Sequence, residues 1–241
     1  MSAMSAFRLT VLALAITAHA AAASTPAPML LTGSELKALC TIDSSTMHIC
    51  AGYVAGVSDD LEITSQEAAR TLGTAGAAFL APCPGKQMAE LVASTLKELE
   101  ARPPTDPALT TVQFALVQPL GCDRSHPSTD IVLFADGDRL KGFCTGSDRD
   151  LRLQCEGYIR GVADSLLKVL SQPTAQAFKS CAPTWQTPDQ AASATIVYLN
   201  AHPEHGKVPA PTLISAALLS PSCPLAPISA SPDMRRTGRT K

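Results

Sequence analysis

The chain has 241 residues, of which 46% are hydrophobic and only 4% aromatic, and its 19 basic and 21 acidic side chains almost cancel. This balance excludes the strong positive field typical of nucleic-acid-binding proteins. With so few aromatic residues the core must be built mainly from Ala, Leu and Val, which favours helices over a β-sandwich. We therefore expect an all-α protein.

The N-terminus has the pattern of a secretory signal peptide. Arg8 precedes an almost wholly apolar run over residues 9–18, and small residues at Ala18, Ala20 and Ala23 provide cleavage sites. The run is too short for a membrane span of about 20 residues, so a membrane anchor is the weaker interpretation. We expect residues 1–23 to be removed on export to the periplasm, and no membrane association afterwards.

The eight cysteines divide the remaining chain into two sets of four with similar spacings. Around the second cysteine of each set the segments 50–59 and 155–164 are identical at six of ten positions. This duplication predicts two tandem, disulfide-bonded four-helix domains, each folding separately. The predicted boundaries are a first domain at 30–122, a linker at 123–132, a second domain at 133–225 and a disordered tail at 226–241.

Four helices are expected in the first copy. The first opens with a capping box between Thr32 and Glu35, flanked by the hydrophobic pair Leu31 and Leu36. The second begins near Cys50. The third carries the apolar residues Met88, Leu91, Val92, Leu96 and Leu99 and stops before Pro103-Pro104, and the fourth spans about 107–117.

The second copy repeats this order. Asp136 caps its first helix, and its second helix begins near Cys155. One apolar stripe follows the second helix at Cys155, Ile159, Val162, Leu166 and Val169. Thr187, with Pro188 at the first helical position and Gln190 three residues after the cap, starts the third, and the fourth covers about 211–219.

The cysteines are interpreted as structural. No Cys-x-x-Cys occurs, which excludes the usual zinc-ribbon and thioredoxin spacings, and an even number in an exported chain indicates disulfides rather than a catalytic thiol. In an up-and-down bundle the first two cysteines of a copy meet at one end and the last two at the other. This arrangement predicts the pairs Cys40–Cys50, Cys83–Cys122, Cys144–Cys155 and Cys181–Cys223.

A recurrent Gly-Tyr-Gly-Asp pattern lies on both second helices, at Gly52, Tyr53, Gly56 and Asp59 and at Gly157, Tyr158, Gly161 and Asp164. Glycine inside a helix costs about 1 kcal/mol relative to alanine, so its recurrence indicates that something approaches this face closely. A neighbouring helix or the adjacent tyrosine is the favoured interpretation, and a partner surface is the alternative. Each aspartate is expected to accept a loop N–H rather than to act in acid–base chemistry.

Two further features admit a functional interpretation. His202 and His205 flank Pro203-Glu204, but a turn, unlike a helix with His at i and i+4, is not expected to present a metal site. Trp185, the single tryptophan, lies in a proline-stiffened loop where it could be a lid on the core or a partner contact. No phosphate loop, dinucleotide fingerprint or nucleophile elbow is present, so no cofactor and no catalytic residue are predicted.

The pattern Cys-x-Gly-Tyr-Ile-x-Gly-Val-x-Asp, a later Cys-x-Pro, a Tyr-Leu-x-x-His-Pro-Glu turn and a terminal cysteine resemble the resistance-associated immunity family. The second copy carries these positions from Cys155 to Cys223, whereas the first copy has Ala101-Arg102-Pro103-Pro104 in place of the His-Pro-Glu turn. The resemblance implies a small helical periplasmic protein that binds and blocks a peptidoglycan amidase delivered by type VI secretion. The family's inhibitory contacts lie on variable loops, so none carries over residue by residue.

The sequence thus predicts a binding protein without catalysis, whose partner is a protein, and the resemblance implies that this partner is a peptidoglycan amidase effector. A periplasmic structural or chaperone-like helical protein without a toxin partner is the alternative, supported by the Ala-rich, weakly charged helices. An enzyme is the least favoured class.

Overall fold

A computed structural model describes residues 30–41, 44–72, 86–117, 133–172, 181, 183–220 and 223. Over these residues the protein is all-α, as predicted, with eight α-helices and no strand. The helices are α1 Gly33–Thr41, α2 Ser44–Leu72, α3 Met88–Ala101 and α4 Ala108–Val117, then α5 Gly137–Thr145, α6 Arg149–Leu170, α7 Pro188–Ala201 and α8 Ala210–Leu218, with a 3₁₀ turn at Pro203–His205.

The predicted helix starts are confirmed where caps were recognised. The Glu35 backbone N–H donates to Thr32 Oγ1 at 3.3 Å, and Glu35 Oε2 accepts from the Thr32 backbone N–H at 2.8 Å, which is the reciprocal capping box. Asp136 accepts from the Arg139 N–H at 2.9 Å, and Thr187 accepts from the Gln190 N–H at 3.3 Å. These local bonds satisfy N–H groups that a helix start otherwise leaves without partners.

The second helix of each half begins about six residues earlier than predicted, at Ser44 and Arg149 rather than near the cysteines. In the second half the reason is Asp148, whose side chain accepts from the Asp150 and Leu151 N–H groups and caps α6 before the apolar stripe begins. The last member of that stripe was also predicted wrongly. Val169 is half exposed because it lies in the final turn of α6, one residue before the helix ends.

The two halves have their own cores but share residues at their boundary. Leu36, Val54 and Leu109 are among the buried residues of the first core, and Leu140, Ile159 and Leu213 of the second. Ala55 of α2 nevertheless belongs to the second core, and the Phe134 side chain packs against both. Among the described helices, α2 and α6 make the most extensive contact.

Three of the predicted disulfides are present. Cys40–Cys50 joins α1 to α2, and Cys144–Cys155 joins α5 to α6. Cys181–Cys223 closes the ends of the α7–α8 pair, with Cα atoms 4.4 Å apart. By loop-closure entropy, bridges over 10 or 11 residues stabilise by about 3 kcal/mol and one over 42 residues by about 4 kcal/mol.

The last helix of each half is tied to the start of the first by matching backbone bonds. Thr32 pairs with Pro107 in the first half, and Asp136 pairs with Pro209 in the second. The Gly33 N–H donates to the Asp106 carbonyl at 2.7 Å, as the Gly137 N–H donates to Val208 at 3.0 Å. The turn before α4 or α8 is thereby fixed against α1 or α5.

Several predictions fall outside the described residues: the signal peptide, the linker, the tail and the Cys83–Cys122 bridge. The domain boundaries therefore stay predictions. Within the described segments, no helix combines the length and apolar character needed to cross a membrane.

Candidate functional site

The recurrent glycines lie where α2 crosses α6. A Cβ atom built on Gly52 would overlap the carbonyl oxygen of Gln154, and one on Gly157 would overlap that of Ile49. Gly56 and Gly161 meet the carbonyl oxygens of Tyr158 and Tyr53 in the same way. The four missing side chains let the two backbones touch, so the favoured interpretation holds: the close neighbour is a helix, and it belongs to the other half of the chain.

Tyrosine and aspartate of the motif bond across the same contact. The buried Tyr53 hydroxyl donates to Asp164 Oδ2 at 2.8 Å, and the buried Tyr158 hydroxyl donates to Asp59 Oδ2 at 2.5 Å. The two bonds are reciprocal, since the tyrosine of each helix donates to the aspartate of the other. We call the contact formed by these tyrosines, aspartates and the four glycines the seam.

The two aspartates also accept backbone N–H groups from the opposite half, as the sequence led us to expect of a loop-binding carboxylate. Asp59 accepts from Phe134 at 2.9 Å and Ala135 at 3.1 Å, and Asp164 accepts from Leu31 at 3.3 Å. Burial raises the pKa of Asp59 and of Asp164 to about 6, although these hydrogen bonds lower it. The carboxyl oxygens face internal donors, so the seam offers no acid or base to a substrate in solvent.

Trp185 is only 5% exposed and packs in the core of the second half. A buried position fits the first of the two roles considered for Trp185, a lid on the core, better than the second, a contact with a partner. The ring has little surface left to offer a partner. The possible partner contact at Trp185 is therefore not supported by its position.

The turn after α7 brings two histidines and a glutamate close together. A 3₁₀ turn over Pro203–His205 brings His202 Nδ1 to 3.0 Å from Glu204 Oε1, and His205 Nε2 to 3.8 Å from the same oxygen. A hydrogen bond from its own backbone N–H and another from His202 lower the pKa of Glu204. The segment is a turn, as the sequence indicated, and its 3₁₀ geometry, which completes one turn in three residues, brings the three side chains together.

An open groove of about 510 Å³ lies in the first half, between α1 and the α3–α4 turn. Lys37 and Thr41 of α1 line one side, and Glu100 and Pro104 line the other. The Arg102 guanidinium lies 4.2 Å from the centre of the Phe114 ring beside it. Sequence reasoning missed this groove because its lining comes from segments about 60 residues apart.

Four large apolar side chains are exposed among the described residues: Met47, Phe114, Val169 and Val197. Phe114 lies on α4 and Val169 on α6, and the adjacent Lys168 Nζ and Gln113 Oε1 bond at 2.7 Å where these helices meet. Val197, on α7, is 68% exposed. Isolated exposed apolar side chains are ordinary, but these are the described positions at which a partner would gain most from burial.

Comparison with known proteins gives one match, to the family model described as Rap1a immunity proteins, over residues 136–221. That span begins at the cap of α5 and ends just beyond α8, so it coincides with the helices of the second half. No curated protein and no solved structure gives a significant match. The second half therefore resembles this immunity family, in agreement with the motif positions noted in the sequence.

Proposed function

We propose that this chain is a periplasmic binding protein of the immunity type, which inhibits a peptidoglycan amidase effector of type VI secretion and has no catalytic activity of its own. The observation that carries the proposal is the match of residues 136–221 to the Rap1a immunity proteins. The finer assignments, that the target is an amidase and that the compartment is the periplasm, rest on the resemblance and on the signal-like N-terminus.

The burial of the recurrent motif supports a binding role. Tyr53, Tyr158, Asp59 and Asp164 are all buried, and each hydroxyl is bonded to a carboxylate of the opposite half. The repeated residues thus hold the halves together, and partner recognition falls to surfaces on which the halves differ. Such surfaces are the first-half groove, the α7–α8 turn and the exposed Val197.

The direct test searches for a peptidoglycan amidase gene beside the gene for this protein and, with the amidase found there, measures the hydrolysis of purified sacculi. We expect the mature protein to inhibit hydrolysis at stoichiometric amounts. We also expect a bacterial host producing the amidase in its periplasm to survive only when this protein carries its signal peptide. An amidase that neither binds nor loses activity would overturn the proposal and favour a structural or chaperone-like role.

A pair of variants, one in each half of the chain, tests which half binds the amidase. Val197→Ser lies within the matched span and Phe114→Ser lies outside it. Val197 is 68% exposed, so its replacement should change the melting temperature little, whereas Phe114 is 39% exposed and contacts the Arg102 guanidinium, so the melting temperature of Phe114→Ser is measured to verify that it is folded. We expect Val197→Ser to weaken binding by tenfold or more, and Phe114→Ser to leave it nearly unchanged. The reverse result would place the contact in the first half.

A further inference from the structure

We propose that the α7–α8 turn is a binding site for one divalent transition-metal ion of the zinc class, held by His202, Glu204 and His205. One ligand atom from each of the three side chains can be chosen so that all lie within 4.8 Å of one another. Neither the family match nor the proposed inhibition assigns a metal to this turn. The metal site can therefore be tested independently of the proposed inhibition of an amidase.

The donor spacing fits a small ion. His202 Nδ1 and His205 Nε2 lie 3.0 and 3.8 Å from Glu204 Oε1. A tetrahedral ion about 2.0–2.1 Å from each ligand separates its ligands by about 3.3 Å, which lies between these two distances. The two histidine donor atoms lie within 4.8 Å of each other, so binding requires that pair to approach by up to about 1.5 Å and one imidazole to turn out of the stacked arrangement. All three side chains are partly exposed, which leaves room for these rotations.

The backbone keeps the two imidazoles on the same side of the turn. His202 and His205 are three residues apart, which is one full turn of 3₁₀ helix, and their rings stack with centroids 5.2 Å apart and planes 12° apart. The His205 N–H donates to the His202 carbonyl at 3.1 Å, and the Asp138 N–H donates to the Gly206 carbonyl at 2.8 Å. Backbone hydrogen bonds therefore stabilise the conformation of the turn and join it to α5.

Tyr198 lies one helical turn before His202. In the proposed site its hydroxyl orients the His205 ring by a hydrogen bond. Its hydroxyl lies 3.4 Å from His205 Nδ1. Histidine ligands in metal sites donate their other ring N–H to an oxygen, which fixes the tautomer and leaves the opposite nitrogen for the ion. With Nδ1 of His205 directed at Tyr198, the free nitrogen is Nε2, and that atom faces Glu204.

Two imidazoles and one carboxylate define the class of ion. This set suits Zn²⁺ and the neighbouring Co²⁺, Ni²⁺ and Cu²⁺, whereas Mg²⁺ and Ca²⁺ require oxygen ligands. Three protein ligands leave a fourth position open to water. The first half has Arg102-Pro103-Pro104 at the corresponding turn and lacks these ligands.

The experiment titrates the mature protein, prepared without a histidine tag, with ZnCl₂ in a calorimeter. We expect one Zn²⁺ per chain, and binding that weakens on acidification because protons compete for the imidazole nitrogens. His202→Gln, Glu204→Gln and His205→Gln should each weaken Zn²⁺ binding by tenfold or more. Tyr198→Phe should weaken it several-fold, because the ring stays and only the orienting hydroxyl is lost.

His48→Gln is the matched control. His48 Nε2 lies 3.4 Å from Asp150 Oδ2, so it is another partly exposed histidine beside a carboxylate, but among the described residues it belongs to no group of three potential metal ligands. We expect this variant to bind Zn²⁺ like the unmodified protein. Circular dichroism and melting temperatures measured without metal verify that every variant is folded. Failure to bind Zn²⁺ at 100 µM, or binding unaffected by all three ligand substitutions in folded variants, would overturn the proposal.

Discussion

At the scale of single residues, the seam places charged groups where they cost stability. The seam carboxyls of Asp59 and Asp164 are buried, and that of Asp60, the residue after Asp59 in α2, is half-buried; loss of contact with water raises the pKa of each from 3.8 to about 6. Glu62 raises the pKa of Asp59 further, whereas Arg160 lowers that of Asp164. Each carboxyl thus holds its proton to a higher pH in the folded chain than in the unfolded chain.

This difference gives the first prediction, an increase in stability on mild acidification. Between about pH 4 and pH 6 the folded state binds more protons than the unfolded state, so stability falls as pH rises through that window and is greatest below it. Each unit of pKa shift corresponds to roughly 1.4 kcal/mol. The urea midpoint should therefore be higher at pH 5 than at pH 7.

The double variant Asp59→Asn/Asp164→Asn is the control for this prediction, because it removes two of the three aspartates whose pKa is raised to about 6. Its urea midpoint should change less between pH 7 and pH 5. A wild-type midpoint that falls or stays level over that range would contradict the assignment.

The second prediction concerns Trp185. Its ring is buried in the second core, so Trp185→Ala should lower the free energy of unfolding by about 3 kcal/mol or more, in the range for removing a large aromatic side chain. Val197→Ala, at an exposed site, should change stability by no more than about 0.5 kcal/mol. Denaturant unfolding of both variants measures the difference, and equal stabilities would remove Trp185 from the role of a lid.

At the scale of secondary-structure elements, a glycine in α6 is required by close packing, whereas a glycine in α5 has room for a side chain. Gly157 of α6 touches the backbone of α2, whereas a Cβ on Gly142 of α5 would meet no atom within 4 Å. Alanine has a higher helix propensity than glycine by about 1 kcal/mol. Replacing glycine by alanine therefore raises stability only where there is room for the methyl group.

We therefore expect Gly142→Ala to raise stability by up to about 1 kcal/mol. Gly157→Ala should lower it by about 3 kcal/mol or more, because two backbones would have to separate. Thermal unfolding of the two variants side by side is the measurement. A tolerated Gly157→Ala would mean that α2 and α6 are not in backbone contact.

At the scale of the whole molecule, the seam alters what is expected of one half alone. The sequence predicted that a fragment ending near Asp123 would be soluble and helical when oxidised. In the full chain Tyr53 bonds to Asp164, and Asp59 bonds to Tyr158, so the isolated half would expose both of its motif groups without partners. These groups can stay buried only if another molecule takes the place of the second half and supplies their hydrogen-bond partners.

Because residues 50–59 and 155–164 carry the same Gly-Tyr-Gly-Asp pattern, a second copy of the fragment can supply that replacement, with Tyr53 of each fragment donating to Asp59 of the other. We expect the fragment to form a homodimer in light scattering coupled to gel filtration. Gly56→Ala should shift it towards monomer by blocking the close approach. A well-folded monomeric fragment would instead support the original prediction of independent domains.

Local patterns in the sequence determined the helical class, the caps at Thr32, Asp136 and Thr187, and three of the disulfide pairs, because each depends on residues near one another in the chain or on simple bundle geometry. The recurrence of glycine and aspartate also indicated a close contact. Only the tertiary structure decided that this contact joins the two halves, because Tyr53 and Asp164 are 111 residues apart and no local pattern pairs them. The approach of His202, Glu204 and His205 was likewise decided by the 3₁₀ geometry of the turn, which their spacing alone did not reveal.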